Sequence, residues 1–242
     1  DFVSPDKRYS VAEYKNDAEN VIDKIIKDNK TPIIVGGTGL YLNSLIYGID
    51  YPDIKTDLNY RKELEEKVNK DGLEEIYKEA KIIDPIAVEK ISKNDKKRIL
   101  RILEIYHSTG KTKTELEKES RKNGIKYDYR IFVLNMPRCE LYERINKRVD
   151  IMIKEGLIEE VKKIISKYKE FPTAMQGLGY KEVVEFLENK ITKEEMIEKI
   201  KMETRRYAKR QLTWFKSYKE ATWLDSNNTN NVDIILEDIS EK

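Results

Sequence analysis

The stretch Thr31-Pro-Ile-Ile-Val-Gly-Gly-Thr-Gly-Leu-Tyr41 decides how this chain is read: a β-branched apolar run stops at two glycines and a threonine, and a new apolar periodicity starts behind them. Such a run bounded by glycine suits a buried strand of a covered parallel sheet. Gly36, Gly37 and Gly39 let a backbone be approached more closely than any residue with a Cβ would. Leu40, Tyr41, Asn43, Ser44 and Leu45 predict the first turn of a helix. Strand, glycine turn and helix start would deliver the Thr38 hydroxyl and free N–H groups, an array that attracts phosphate. Taken alone, the same residues equally suit a tight turn with no ligand.

Working outward, Ser10-Val-Ala-Glu13 is a capping box, and Val11, Tyr14, Ala18, Val21, Ile22, Ile25 and Ile26 follow at helical spacing, predicting a helix that ends near Asn29. Helix, strand, glycine turn and helix make an α/β unit. From about Asp57 to Gly110 the pattern is helix after helix: Leu58 to Val68, Leu73 to Ile83, Pro85 to Ile91 and Asp95 to Thr109. A polar stretch runs through Gly124, and Tyr129 to Asn135 predicts a second buried strand ended by Pro137. A long amphipathic helix from Cys139 toward Lys154 breaks at Gly156 and resumes through Leu157, Val161 and Ile164. The box Thr192-Lys-Glu-Glu195 opens a helix reaching to about Tyr218, and a short strand at Thr222-Trp-Leu224 precedes an Asn-rich loop and an acidic terminal segment. The expected class is helix-rich α/β: residues 1–54 and 128–242 form the α/β core, and 55–127 a helical subdomain inserted into it. Three short strands do not complete a doubly wound sheet, so further strands are expected upstream of Asp1, where the chain opens without a methionine.

Composition narrows the function classes. Charged residues make up 38% of the 242 and hydrophobic ones 39%, which favours amphipathic helices with long solvated faces. A net charge of +2 is no polycation, so any nucleic-acid surface must come from local segregation of charge. One cysteine and one histidine exclude a disulfide framework and a Cys/His zinc site, while a metal held by oxygens is left open. No signal peptide or membrane-length apolar run is present, and a cytoplasmic protein is expected.

Charge segregates most clearly at Thr204-Arg-Arg-Tyr-Ala-Lys-Arg-Gln-Leu-Thr-Trp-Phe-Lys216, with five cations and no acid. On a helix Arg205 and Lys209 share a face, as do Arg206 and Arg210, with Tyr207 and Trp214 seven apart behind them. Lys/Arg arrays of this kind hold phosphate backbones, and bidentate Arg suits pyrophosphate equally. A solvated charged face is the alternative, but the lack of acids in a chain otherwise nearly balanced favours an anionic ligand. Arg98 and Arg101, opposite Ile99, Leu103 and Tyr106, look like an ordinary amphipathic helix, as do Arg144 and Arg148. Gln176-Gly-Leu-Gly-Tyr-Lys-Glu182 joins close-approach glycines to directional Gln, Tyr and Lys side chains.

Taken in order, Gly36-Gly-Thr-Gly-Leu-Tyr41, Asn94-Asp-x-x-Arg98-x-x-Arg101, Gln176-x-x-Gly-Tyr-Lys-Glu182 and Ala208-Lys-Arg-Gln-Leu-Thr-Trp214 resemble the tRNA dimethylallyltransferase (isopentenyltransferase) family across essentially the whole chain. That resemblance implies a P-loop-NTPase-like, nucleotide-binding core with a helical insertion. The implied reaction moves a dimethylallyl group from dimethylallyl diphosphate to N6 of an adenosine beside the anticodon, with Mg²⁺. It puts Thr38 and Arg205 at the reaction centre, and Gly36, Gly37, Gly39, Arg98, Arg101 and Arg205 at the diphosphate. Thr38, Arg61, Gln176, Gly179, Tyr180, Lys181, Lys209, Arg210, Gln211, Thr213 and Trp214 fall to the tRNA anticodon stem-loop. No metal ligand is expected in this chain, nor a membrane contact, and a monomer is expected.

The sequence departs from the family in one respect. It contains no Gly-x-x-x-x-Gly-Lys-Ser/Thr, and the aspartate general base that follows this motif in the family is absent too. The family pattern places both within roughly 60 residues upstream, so these 242 residues alone are expected to be inactive. Two other readings stand beside this one: a transferase acting on free adenine nucleotides, and a non-catalytic RNA-binding module in which Gly36 to Gly39 are merely structural.

Overall fold

A computed structural model describes residues 2–50, 57–121 and 124–240. The chain divides into two compact units, one formed by Ser10–Ile34 and Leu40–Tyr127, the other by Asp1–Tyr9, Val35–Gly39 and Asp128–Lys242.

Among its described residues the regular elements of the first unit are all helices. It holds α1 (Val11–Lys27), α2 (Gly39–Ile46) from Leu40 onward, α3 (Leu58–Asp71), α4 (Leu73–Ile83), α5 (Pro85–Glu89), α6 (Lys96–Thr109) and α7 (Lys113–Ser120). Ser10 caps α1 through the expected reciprocal box, and Tyr14 of α1 stacks on Tyr41 of α2 with ring centroids 4.3 Å apart. Ile99, Leu100, Ile102 and Leu103 of α6 supply the i, i+1, i+3, i+4 stripe around which Leu64, Ile76, Ala80, Ala87 and Val88 pack. Each large aliphatic side chain so buried contributes about 1.5–3 kcal/mol. Asp84 begins α5 by accepting the Ala87 N–H, and Pro85 occupies the first helical position, where a missing N–H costs nothing.

The second unit is α/β. β1 (Phe132–Asn135) and β2 (Thr222–Asp225) pair in parallel, Phe132 opposite Thr222 and Asn135 opposite Asp225. Parallel neighbours need a long crossover. It consists of α8 (Arg138–Lys154), α9 (Leu157–Lys167), a 3-10 turn (Ala174–Gln176), α10 (Tyr180–Leu187) and α11 (Lys193–Phe215), and α12 (Asn231–Ser240) follows β2. Gly156, at φ 102°, makes the break between α8 and α9 that a residue with a Cβ would resist. Val149, Leu157, Val161, Val183, Met196 and Ile200 form the core of the helices.

Several expectations need correction. Thr31 to Val35 is neither a strand nor buried: Ile33 is 81% and Val35 91% exposed. Its residues carry the pattern of a strand covered on both faces, but the two strands among the described residues pair with each other and leave it no ladder. The second strand is shorter than Tyr129 to Asn135, and of its side chains Val133 is buried while Leu134, on the opposite face, is 60% exposed. The polar stretch before Gly124 contains α7, the acidic terminal segment contains α12, and α11 ends at Phe215, three residues short of Tyr218.

Candidate functional site

In the α/β unit the Gly36–Gly39 segment rests on α11. Gln211 donates from Nε2 to the Gly37 carbonyl at 2.9 Å, and the Trp214 indole lies against Gly39. A Cβ on Gly37 would fall 1.9 Å from that nitrogen, and one on Gly39 2.4 Å from the indole ring, so both positions admit glycine alone without a shift. Gly36 has open space around its α-carbon, and Thr38, between the two anchored glycines, presents an exposed side chain.

Around α11 the cations have different fates. Arg205 donates to Asn146 Oδ1 of α8 at 2.7 Å, and Arg206 is paired with Glu203 at 2.5 Å, one residue before the acid-free window begins. Arg210 lies over the Tyr207 ring, 5.7 Å from its centroid. Lys209, Arg210 and Lys216 have no ion pair among the described residues, and all three are exposed. Thr213 closes its hydroxyl onto the Lys209 carbonyl at 2.9 Å. Tyr207 and Trp214 are not a buried seam: each is 38% exposed.

Gln176 to Lys181 precede and open α10. Gly179, at φ 94°, needs its missing Cβ, and its N–H is held by the buried Glu182 carboxylate at 2.9 Å. Tyr180 donates to Glu160 of α9, and burial first, then that carboxylate, push its phenol up to about 12, so it stays a protonated donor at neutral pH. Gln176 and Lys181 are exposed. At the carboxyl ends of β1 and β2 a cleft of about 360 Å³ is lined by Asn135, Met136, Pro137, Trp223, Leu224 and Asp225. Open α/β sheets place ligands at this edge.

Arg61, Arg98 and Arg101 belong to the helical unit. Arg61 bonds Glu104 at 2.5 Å and Glu65 at 2.9 Å, and Arg101 reaches the other Glu104 oxygen at 3.3 Å. Arg98 is paired with Asp95 at 3.4 Å and is largely exposed. Glu104, Glu182, Asn146 and Glu160 are the polar partners that sequence reasoning passed over. Only Glu104 (three residues after Arg101) and Glu182 (three after Gly179) stand at helix-neighbour spacing from the residue they hold. Among the described residues no group of three or more His, Cys, Asp and Glu could hold a metal ion.

The family model described as IPP transferase matches residues 1–218. The chain belongs to the IPP transferase family. Among relatives in this family, the tRNA dimethylallyltransferase of Halothermothrix orenii is 45% identical over 226 residues, which cover 93% of this chain and 69% of that one. That of Thermoanaerobacter pseudethanolicus is 47% identical over 226 residues, 92% of this chain and 72% of its own. The full-length tRNA isopentenylpyrophosphate transferase of Bacillus halodurans superposes with a TM-score of 0.65 at 38% identity, over 98% of this chain and 74% of that one. A eukaryotic dimethylallyltransferase acting on tRNA gives a TM-score of 0.76 at 28% identity, over 100% and 65%. The helix-rich α/β architecture with its small parallel sheet thus resembles solved IPP transferases. Among the described residues no helix is long and apolar enough to cross a membrane.

Proposed function

We propose that the protein transfers a dimethylallyl group from dimethylallyl diphosphate to N6 of an adenosine beside the anticodon of tRNA. The observation that carries this reading is the Gly36–Gly39 loop seated on the basic helix α11, in a chain 45% identical to a protein named for that reaction. In this reading the core is P-loop-NTPase-like and nucleotide-binding, and residues 55–127 are its helical insertion. The C–O bond to diphosphate breaks with its electron pair leaving on the diphosphate, the bond to N6 forms, and the N6 proton passes to a base, the part that the family resemblance gives to an aspartate outside these residues. Negative charge grows on the departing diphosphate while the allylic carbon becomes cation-like, so fixed donors facing the diphosphate lower the barrier.

Thr38, exposed at the tip of the loop, is the hydroxyl offered to the amine and the departing oxygens. Arg205 is the guanidinium assigned to diphosphate, Asn146 orienting it, and the Gly36, Gly37 and Gly39 backbone supplies close approach. Lys209, Arg210 and Lys216, with Lys181 and Gln176, are exposed and suit an RNA backbone. Arg61 and Arg101 have a different first task, since each already serves the buried Glu104. Among the described residues no group of three or more His, Cys, Asp and Glu could hold Mg²⁺ by itself. The adenine must leave its stack to be reached, at a cost of a few kcal/mol that is smallest in a loop.

The test supplies the intact gene product to cells lacking the N6 modification and reads tRNA nucleosides by mass spectrometry. Gain of N6-dimethylallyladenosine in tRNA is expected. Prenylation of free adenine nucleotide alone, or no gain at all, would overturn the assignment.

A further inference from the structure

We propose that Gln211 and Trp214 serve the transfer as positioning residues, clamping the Gly36–Gly39 loop and through it Thr38, and that they do not read tRNA. This rests on the prenyltransferase reading above. The two side chains lie three residues apart on one face of α11 and meet the loop on either side of Thr38. Gln211 spends one of its two amide N–H donors on the Gly37 carbonyl at 2.9 Å, which fixes the side chain against the loop. Trp214 presents its ring to Gly39 at a separation that no Cβ could share. The loop is otherwise irregular backbone with exposed neighbours, and fixing such a residue costs about 1–2 kcal/mol of conformational entropy. The clamp meets that cost at folding, before substrate arrives, so Thr38 is placed in advance. The indole ring also leaves no room for a Cβ at Gly39.

Gln211→Met keeps the length of the side chain and removes the donor. With this variant the single-turnover transfer rate should fall about tenfold or more, while the tRNA Kd measured at fixed salt stays within about twofold. A Kd raised tenfold at an unchanged rate would make Gln211 an RNA reader and overturn the proposal. A thermal-melting cycle tests the clamp without activity. Gly37→Ala should lower Tm in the wild-type background, where the new methyl meets the Gln211 amide, and have little effect in Gln211→Ala, where the space is open. Equal cost in both backgrounds would overturn the clamp. Absence of transfer by the intact wild-type gene product, in which the single-turnover comparison is made, would sink the prenyltransferase reading and the catalytic half of this one, with the melting cycle still deciding the contact.

Discussion

Glu104 is 3% exposed, and its two oxygens are divided between Arg61 at 2.5 Å and Arg101 at 3.3 Å. A carboxylate taken out of water is tolerated only while its partners stay. Burial pulls the Arg61 guanidinium down, but its bonds to Glu104 and Glu65 more than offset this and hold it above its ordinary value. Glu104→Ala leaves Arg101 without its carboxylate and Arg61 with Glu65 alone, both beside the α6 core. It should cost about 2–4 kcal/mol, read as a lower urea midpoint by circular dichroism. Replacing Arg61, Arg101 and Glu104 together by methionine should recover most of that loss. If the triple variant were as unstable as Glu104→Ala, the triad would be contributing net stability and not merely satisfying itself.

Three helices, α1, α7 and α11, open with reciprocal boxes: Ser10 with Glu13, Thr112 with Glu115, and Thr192 with Glu195. Thr112→Ala should cost about 1 kcal/mol, measured by denaturant titration, because it orphans the Glu115 N–H. The first and third boxes were legible because an apolar period follows each. The second was equally present in the sequence, but α7 brings one leucine and buries Ser120 in place of a hydrophobic stripe, so periodicity said nothing. In the Gly-rich motif the glycines could be read as close-approach positions, but not what approaches them. That knowledge needs α11, whose Gln211 stands 174 residues beyond Gly37, and a fold to bring it there. The Ile33 to Val35 run failed in the opposite sense, since a strand is a property of a pair and no window of one segment contains its neighbour.

Asp84 joins α5 to α7 by accepting the Ala87 N–H at 3.0 Å and the Thr114 N–H at 2.8 Å, with the Thr114 hydroxyl at 2.6 Å. Burial pushes this carboxyl up, yet the bonds from Thr114 and Ala87 outweigh it and hold it below its ordinary value. Depression on folding means that Asp84 stabilises above the unfolded value of about 4, and that this stability drains away as pH falls through the lower folded value. Asp84→Asn should therefore lower Tm most near neutral pH, with the gap to wild type narrowing below about pH 4. A gap constant from pH 7 to pH 2 would remove the ionised carboxylate from the account.

At the scale of the whole molecule, 47 basic and 45 acidic side chains leave a net charge of +2, too small to steer a polyanion from a distance. In the proposed reading, attraction to RNA comes from the segregated end of α11. The earlier turns of that helix are already neutralised within the unit: Lys199 by Glu185, Lys201 by Asp150 and Arg206 by Glu203. Beyond Arg206 no ion pair is made on α11 among the described residues, and the proposed reading offers Lys209, Arg210 and Lys216, with Lys181 at α10, to phosphate. Four phosphate contacts to a largely single-stranded loop predict a log–log slope of binding constant against salt of about −3. Lys209→Ala should weaken binding to every anticodon stem-loop sequence alike and reduce the slope by about one contact's worth, measured by filter binding between low and physiological salt. Arg206→Ala should leave the slope unchanged, because its charge is already answered by Glu203. A slope near zero in the wild-type protein would mean that this helix end does not meet the phosphate backbone, and the RNA-facing role of α11 would have to be given up.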